Sequence, residues 1–269
     1  MVSVMKTSWK SGTLRLLTGL VTLGVLASAM GPASAAETHE PVELDWEHKG
    51  PFGTFDRAAL QRGYQVYDEV CATCHSLDHL YYRDLTGIGF SPEEVDAIAE
   101  SKMVRDGPND EGDMFMRPGK PSDHFADPYR NDAEARLINN GSVPPDLTLM
   151  VEKRGGHENY VYSLLTGYAD PPEDVSLRAG MSYNPYFSGG QIAMPPPLSE
   201  GIVEYADGTP ATVDQMARDV TTFLAWAAEP NLEERKQMGF KVIVFLLILT
   251  GLLWQANKRI WKRVKTQNT

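Results

Sequence analysis

Apolar residues recur at helical spacing along much of the chain. From Asp56 to Cys71, the residues Leu60, Tyr64, Tyr67, Val70 and Cys71 fall on one stripe, which predicts a helix. Ser91-Pro92-Glu93-Glu94 reads as a helix start, with Ser as N-cap, Pro in the first turn and Glu completing a capping box. Short helices are predicted over Asp132–Asn140, stopped at Gly141, and over Glu158–Thr166, stopped at Gly167. The clearest soluble helix follows Thr212, which forms a capping box with Gln215. Its apolar stripe is Val213, Met216, Val220, Phe223, Leu224 and Ala227. Residues 102–131 and 168–211 are rich in Pro, Gly and Asp and are predicted to be irregular, while Pro144-Pro145 forces extended backbone. No period-2 run of any length and no internal repeat occurs. The predicted fold class is all-α with long loops.

The two ends have a different pattern. Lys6, Lys10 and Arg15 precede an apolar run from Leu16 to Ala29, then the breaker Gly31-Pro32 and the small residues Ala33-Ser34-Ala35. This reads as an export signal over residues 1–36, with cleavage before Ala36 or Glu37; an uncleaved anchor is the rival reading. Near the other end, Met238 to Asn257 contains one charge, Lys241. At about 1.5 Å per residue this window is long enough to span a bilayer. Five basic residues within Lys258–Lys265, beside Trp254 and Trp261, mark a cytoplasmic membrane interface rather than a buried core helix. The expected organisation is therefore a signal peptide (1–36), an exported domain (37–234), a transmembrane helix (235–257) and a basic cytoplasmic tail (258–269). Pro230 separates the last soluble helix from the anchor.

Composition narrows the function. With 42% hydrophobic and 23% charged residues, the chain is neither disordered nor unusual for a globular protein. Two cysteines exclude a multi-disulfide scaffold. The net charge is −11, but both ends are basic, so residues 37–234 carry fourteen basic residues against all 36 acidic ones. Such a domain is unsuited to nucleic acid and suited to a basic partner. Glu93, Glu94 and Asp96, then Asp106, Asp110, Glu111 and Asp113, then Asp170, Glu173 and Asp174 form acidic clusters. Any solvated surface carries such clusters, but the total needs a further reason.

The chemistry is concentrated in Cys71-Ala72-Thr73-Cys74-His75, a C-x-x-C-H pattern that uses every cysteine of the chain. It is the attachment pattern of a c-type haem: two thiols three residues apart add to the two vinyl groups, and the adjacent His supplies an imidazole to the iron. A zinc site would want further Cys or His ligands at a characteristic spacing, and a redox dithiol would want a βαβ setting; neither is present. A disulfide between Cys71 and Cys74 would close a strained small ring.

The second axial ligand decides between an electron carrier and an open haem site. His79 is too near His75 to reach the other face of the ring, His39 and His48 lie in the N-terminal arm, and His124 and His157 stand among charged residues. Met216 lies on a helical stripe, Met103 and Met150 look like core, and Met114 and Met116 flank Phe115 in an acidic loop. Met194 follows Ala193 and precedes Pro195-Pro196-Pro197, a backbone that holds a thioether rigidly. It is the best-placed candidate by spacing. For a haem propionate, Arg136 and Arg154 are equal candidates.

The chain resembles the cytochrome c1 family, the haem subunits of cytochrome bc1 complexes, from about Phe52 to the C-terminal tail. The resemblance rests on Arg62-Gly63-Tyr64-Gln65-Val66-Tyr67 leading into Cys71–Ser76, Asp106-Gly107-Pro108-Asn109, and Met114-Phe115-Met116-Arg117-Pro118-Gly119-Lys120. It continues through Asn139-Asn140-Gly141, Pro144-Pro145-Asp146-Leu147, Tyr160–Tyr168, Tyr183-Asn184-Pro185-Tyr186-Phe187, Ala193–Pro197 and Asp207–Thr212. It implies a cytochrome c-like haem domain with one haem c, bound through Cys71 and Cys74, with His75 and Met194 as axial ligands. It further implies that Arg154 lies near a propionate, that Tyr160 and Asn139 line the haem pocket, and that the Pro144-Pro145 turn packs on the haem face. Some bacterial relatives carry a cysteine pair in the loops before the methionine ligand, and this chain has none.

The expected function is a one-electron relay with no substrate turnover of its own, within a quinol–cytochrome c reductase. The resemblance implies partnership with cytochrome b and a Rieske iron–sulfur subunit as electron source. A soluble basic c-type cytochrome is the expected acceptor. The expected location is a bacterial inner membrane, contacting lipid through a single pass, with the haem domain periplasmic. A free-standing tethered carrier would want a long linker before the anchor, and almost none separates Trp226 from Met238. A ligand-binding haem protein would need an open sixth position.

Overall fold

The computed structural model describes residues 39–267, so the expected export segment lies outside the described residues. Eleven regular elements follow, joined by long loops. They are α1 (Arg57–Glu69), α2 (Pro92–Glu100), β1 (Met103–Asp106), β2 (Phe115–Pro118), α3 (Asp132–Ile138), α4 (Met150–Lys153), α5 (His157–Thr166), β3 (Ser182–Tyr183), β4 (Gln191–Ile192), α6 (Val213–Ala228) and α7 (Leu232–Gln267). Short 3-10 turns occur at Cys71–Thr73 and Tyr82–Ile88. The protein is mostly helical, as its periodicity predicts.

Local chemistry explains the helix boundaries. Asp56 caps α1 by accepting from the Ala58 N–H, and Ser91 and Glu94 form the complete capping box of α2. Asn131 and Thr212 cap α3 and α6 through the N–H groups of Glu134 and Gln215. The core lies between α1 and α6. Leu60, Tyr64, Val66 and Tyr67 meet Met216, Val220, Phe223, Leu224 and Trp226, all buried. Each large apolar side chain taken from water there contributes about 1.5–3 kcal/mol. The two helices cross closely because position 63 is glycine: a Cβ there would stand 2.1 Å from the Asp219 carbonyl oxygen. Beside the crossing, Arg62 forks onto the buried Asp219 carboxylate at 2.9 and 3.0 Å.

Two expectations are corrected. Residues 102–131 are not wholly irregular: β1 and β2 pair antiparallel with Met103 opposite Pro118 and Asp106 opposite Phe115. Arg117 fastens this hairpin, bonding Asp106 on the facing strand and Asp123 beyond it. No residue of either four-residue strand is fully buried, and only β1 alternates, with Val104 and Asp106 half-buried, so the period-2 signal is too short to read. Met103 is not core but 51% exposed, as are Met114 and Met116 to similar degree. Met216 is fully buried and Met150 packs against the core, as expected.

The N-terminal arm lies along α5. The Val42 N–H donates to Ser163 (2.8 Å), and Leu44 N–H and the Trp46 indole donate to Asn159 (3.2 and 2.7 Å). His48 and Lys49 both bond the buried Glu158 carboxylate at 2.8 Å.

Pro230 separates α6 from α7 as expected, but α7 is longer than the expected anchor at both ends. Its first turns belong to the folded domain. Glu233 accepts from the Phe55 N–H and from Arg57, and Lys236 donates to the carbonyls of His48 (2.5 Å) and Gly53 (2.9 Å). Leu232–Lys262 is long and apolar enough to cross a membrane, and its most apolar stretch is not buried among the described residues.

Candidate haem-binding site

Helix α1 runs straight into the cysteine motif. At its end the chain tightens into the turn Cys71–Thr73, where Cys74 N–H and His75 N–H both donate to the Cys71 carbonyl (3.0 and 2.8 Å). Thr73 closes the turn by donating its hydroxyl to Val70 O. Tyr67, buried in α1, donates to the His75 carbonyl at 3.2 Å. The motif is thus fixed to the core from beneath. Both cysteines are free of a disulfide and half-buried. Burial, with the neighbouring Cys74, pushes the Cys71 thiol up to about 12. That is the opposite of the low-pKa thiolate a redox dithiol needs. Among the described residues no three His, Cys, Asp or Glu side chains converge as a group that could hold a metal ion.

His75 is oriented by the Pro-Pro segment. Its Nδ1–H donates to the Pro145 carbonyl at 2.7 Å, which leaves Nε2 with a free lone pair. Burial holds the His75 pKa below its ordinary value, against the opposing pull of that hydrogen bond and of Asp146. The neutral ring is the ligating form. The same segment is laid along the motif by Leu147 N–H to Ser76 O (3.0 Å) and Asp78 N–H to Asp146 (2.9 Å). Pro145 therefore acts through its carbonyl, a role that spacing does not reveal.

Asn139 caps the C-terminus of α3 and donates to Ala135 O (2.8 Å) and to the Tyr129 hydroxyl (2.9 Å). The Tyr129 pKa is raised by burial and by the nearby Cys74, against the Asn139 hydrogen bond that lowers it. Sequence reasoning missed Tyr129; Pro128-Tyr129 in an acidic loop gives no periodic signal.

Arg154 ends α4 on the surface, with its guanidinium 5.8 Å from the Tyr160 ring centre. Arg136, on α3, is also exposed and reaches the Gly141 carbonyl (3.3 Å). Tyr160 is half-buried on α5, and burial, with a smaller effect of Tyr160, raises the pKa of Tyr168 beyond that helix. Met194, half-buried, lies two residues after the last ladder pair of β4, and the Tyr168 hydroxyl donates to its carbonyl at 3.1 Å. The stretch from Pro144 to Tyr168 thus connects every candidate except Asn139 and the cysteines. His124 and His157 are exposed, as expected.

Comparison with known proteins identifies the family. The model of the Cytochrome C1 family matches residues 46–264. The chain belongs to the cytochrome c1 family. It is similar to a mitochondrial cytochrome c1 heme protein of Arabidopsis thaliana, 50% identical over 252 residues that cover 93% of this chain and 81% of the relative. It is 52% identical over 239 residues to a mitochondrial cytochrome c1 heme protein of Solanum tuberosum, covering 87% and 92% of the two chains. To the cytochrome c1 of the bacterium Rhodospirillum rubrum it is 44% identical over 263 residues, covering 91% and 97%. As a member of the family, the chain joins a mostly helical domain to one long apolar C-terminal helix.

Proposed function

We propose that this chain is the membrane-anchored, monohaem c-type cytochrome of a cytochrome bc1 complex, relaying single electrons and turning over no substrate itself. The reading is supported by family membership, and the observation that carries it is the His75–Pro145 hydrogen bond. It fixes a neutral imidazole directly after two free thiols, which is the donor set that a covalently attached haem requires. Cys71 and Cys74 would hold the group through thioethers, and His75 Nε2 and the Met194 thioether would ligate its iron. When bound, the haem supplies a one-electron ferric–ferrous couple. The protein residues orient and shield it. The Pro145 carbonyl sets the tautomer and basicity of His75, and Tyr67 fixes the His75 backbone. Pairing His with Met is the ligand choice of high-potential carriers. Asn139, Tyr160 and Arg154 complete the pocket, with Arg154 as the propionate partner.

In this reading electrons arrive from a Rieske iron–sulfur subunit, beside cytochrome b, and leave to a soluble basic c-type cytochrome. The strongly acidic domain supports the second step, since a transient encounter is steered by complementary charge. The anchor α7 holds the domain at the periplasmic face of a bacterial inner membrane, with the tail cytoplasmic.

The test is an optical spectrum of the detergent-extracted protein, ferric then ferrous, with carbon monoxide added, together with a haem stain on a denaturing gel. The stain is expected to follow the polypeptide. The ferric form is expected to have the weak far-red sulfur-to-iron band, and the ferrous form to ignore carbon monoxide. Ready carbon monoxide binding by the unaltered protein would replace the relay with a ligand-binding haem protein.

A further inference from the structure

The segment that presents Met194 cannot secure itself. Pro195, Pro196 and Pro197 have no N–H, so they contribute no backbone donor to a ladder or turn. The β3–β4 ladder behind Met194 has two residue pairs, Ser182 with Ile192 and Tyr183 with Gln191. A ladder that short is marginal by itself. The two cysteines of the chain both lie in the haem motif, so no disulfide is available to tie the loop.

What ties it is the C-terminal end of α5. The Tyr168 hydroxyl donates to the Met194 carbonyl at 3.1 Å. Asn184, fully buried in the turn between β3 and β4, donates its Nδ2–H to the Leu164 carbonyl at 2.8 Å, satisfying one of the carbonyls that a helix end leaves open. The Asn184 Oδ1 accepts from Tyr186 N–H (3.1 Å), and its backbone N–H donates to Gly190 O (3.0 Å). The Tyr186 ring lies so close to Gly167 that a Cβ at position 167 would stand 2.3 Å from it. Helix α5 is itself held on its other sides by α6 and by the arm bonded to Glu158, Asn159 and Ser163. It is a rigid reference, and sites built on such elements are held more precisely than sites on free loops.

We infer that Tyr168, backed by Asn184, clamps the Met194 loop to α5 and is a positioning residue for the thioether. The inference rests on the proposal that Met194 ligates the haem iron. Without the clamp the loop swings away more often, and the iron is exposed to an external ligand in proportion to the open fraction.

The experiment compares full-length, haem-loaded protein with Tyr168→Phe, Tyr162→Phe and Met194→Leu variants. Tyr162 is on α5 itself, a few residues before Tyr168, and bonds Asp214 of α6, so its variant is a control for the simple loss of a buried hydroxyl contact. Three quantities are measured: apparent carbon monoxide affinity of the ferrous form, the guanidinium concentration that bleaches the far-red band, and the unfolding midpoint from far-ultraviolet circular dichroism. Tyr168→Phe is expected to raise carbon monoxide affinity about fivefold, the effect of one hydrogen bond on the open fraction. Its far-red band should bleach at lower denaturant, while its unfolding midpoint shifts no more than that of Tyr162→Phe. Tyr162→Phe should keep the affinity of the unaltered protein. Equal affinity and equal bleaching in the two tyrosine variants would overturn the clamp while leaving Met194 as ligand. An unaltered protein that lacks the band and matches Met194→Leu would overturn the ligand assignment, and the clamp with it.

Discussion

The His75 ring is held by the Pro145 carbonyl, 2.7 Å away in space and seventy residues away in the chain. A proline pair is a suitable acceptor support, since its backbone is fixed before folding and the carbonyl has little freedom to drift. In the proposed haem site the bond would push electron density toward Nε2 and so favour the ferric state. Pro145→Gly should loosen the acceptor and raise the reduction potential. The expected rise is up to about 40 mV, the one-electron equivalent of a hydrogen bond of about 1 kcal/mol. A spectroelectrochemical titration measures it.

Glu158 makes the domain acid-sensitive. Burial alone would raise its pKa, but hydrogen bonds from His48 and Lys49 outweigh burial and bring it to about 2. The folded value is below the ordinary 4.5, so the stabilisation is complete above that pH and is lost as pH falls from 4.5 toward 2. Its size is about 3 kcal/mol. Glu158→Gln should be less stable at neutral pH and should flatten stability against pH in that window, as followed by denaturant unfolding at each pH.

The α1–α6 crossing has no room for a side chain at Gly63, where a Cβ would lie 2.1 Å from the Asp219 backbone oxygen. Gly63→Ala must push the helices apart beside the Arg62–Asp219 pair. A loss of about 1–3 kcal/mol is expected, despite the better helix propensity of alanine. Thermal unfolding of the purified variant gives the value, and an unchanged midpoint would contradict the packing described.

The first turns of α7 act as part of the soluble domain. A chain ended after Phe240 keeps Glu233 on Phe55 and Arg57, and Lys236 on the carbonyls of His48 and Gly53. A chain ended after Asn231 loses all of them. Both should leave the membrane fraction, but the longer one should be more stable by about 1–3 kcal/mol. Denaturant titration of the two soluble products makes the comparison.

The sequence by itself determined the helices, the cysteine motif and the membrane segment. These are local properties: caps three residues from their partners, apolar stripes of period 3.6, two thiols and an imidazole within five residues, an uncharged run before a basic cluster. It also singled out Met194, because prolines constrain their own backbone. What only the tertiary structure decided is how those parts are held. Arg154 rather than Arg136 stands beside Tyr160, Pro145 acts through its carbonyl, and Asn139 bonds the Tyr129 hydroxyl. His48, read from sequence as an arm residue, is the partner of a carboxylate 110 residues away, and Tyr168 reaches a carbonyl 26 residues away. Contacts of this kind depend on where the chain returns. A hydrogen bond between distant segments imposes no spacing on either of them, so it leaves no pattern along the sequence.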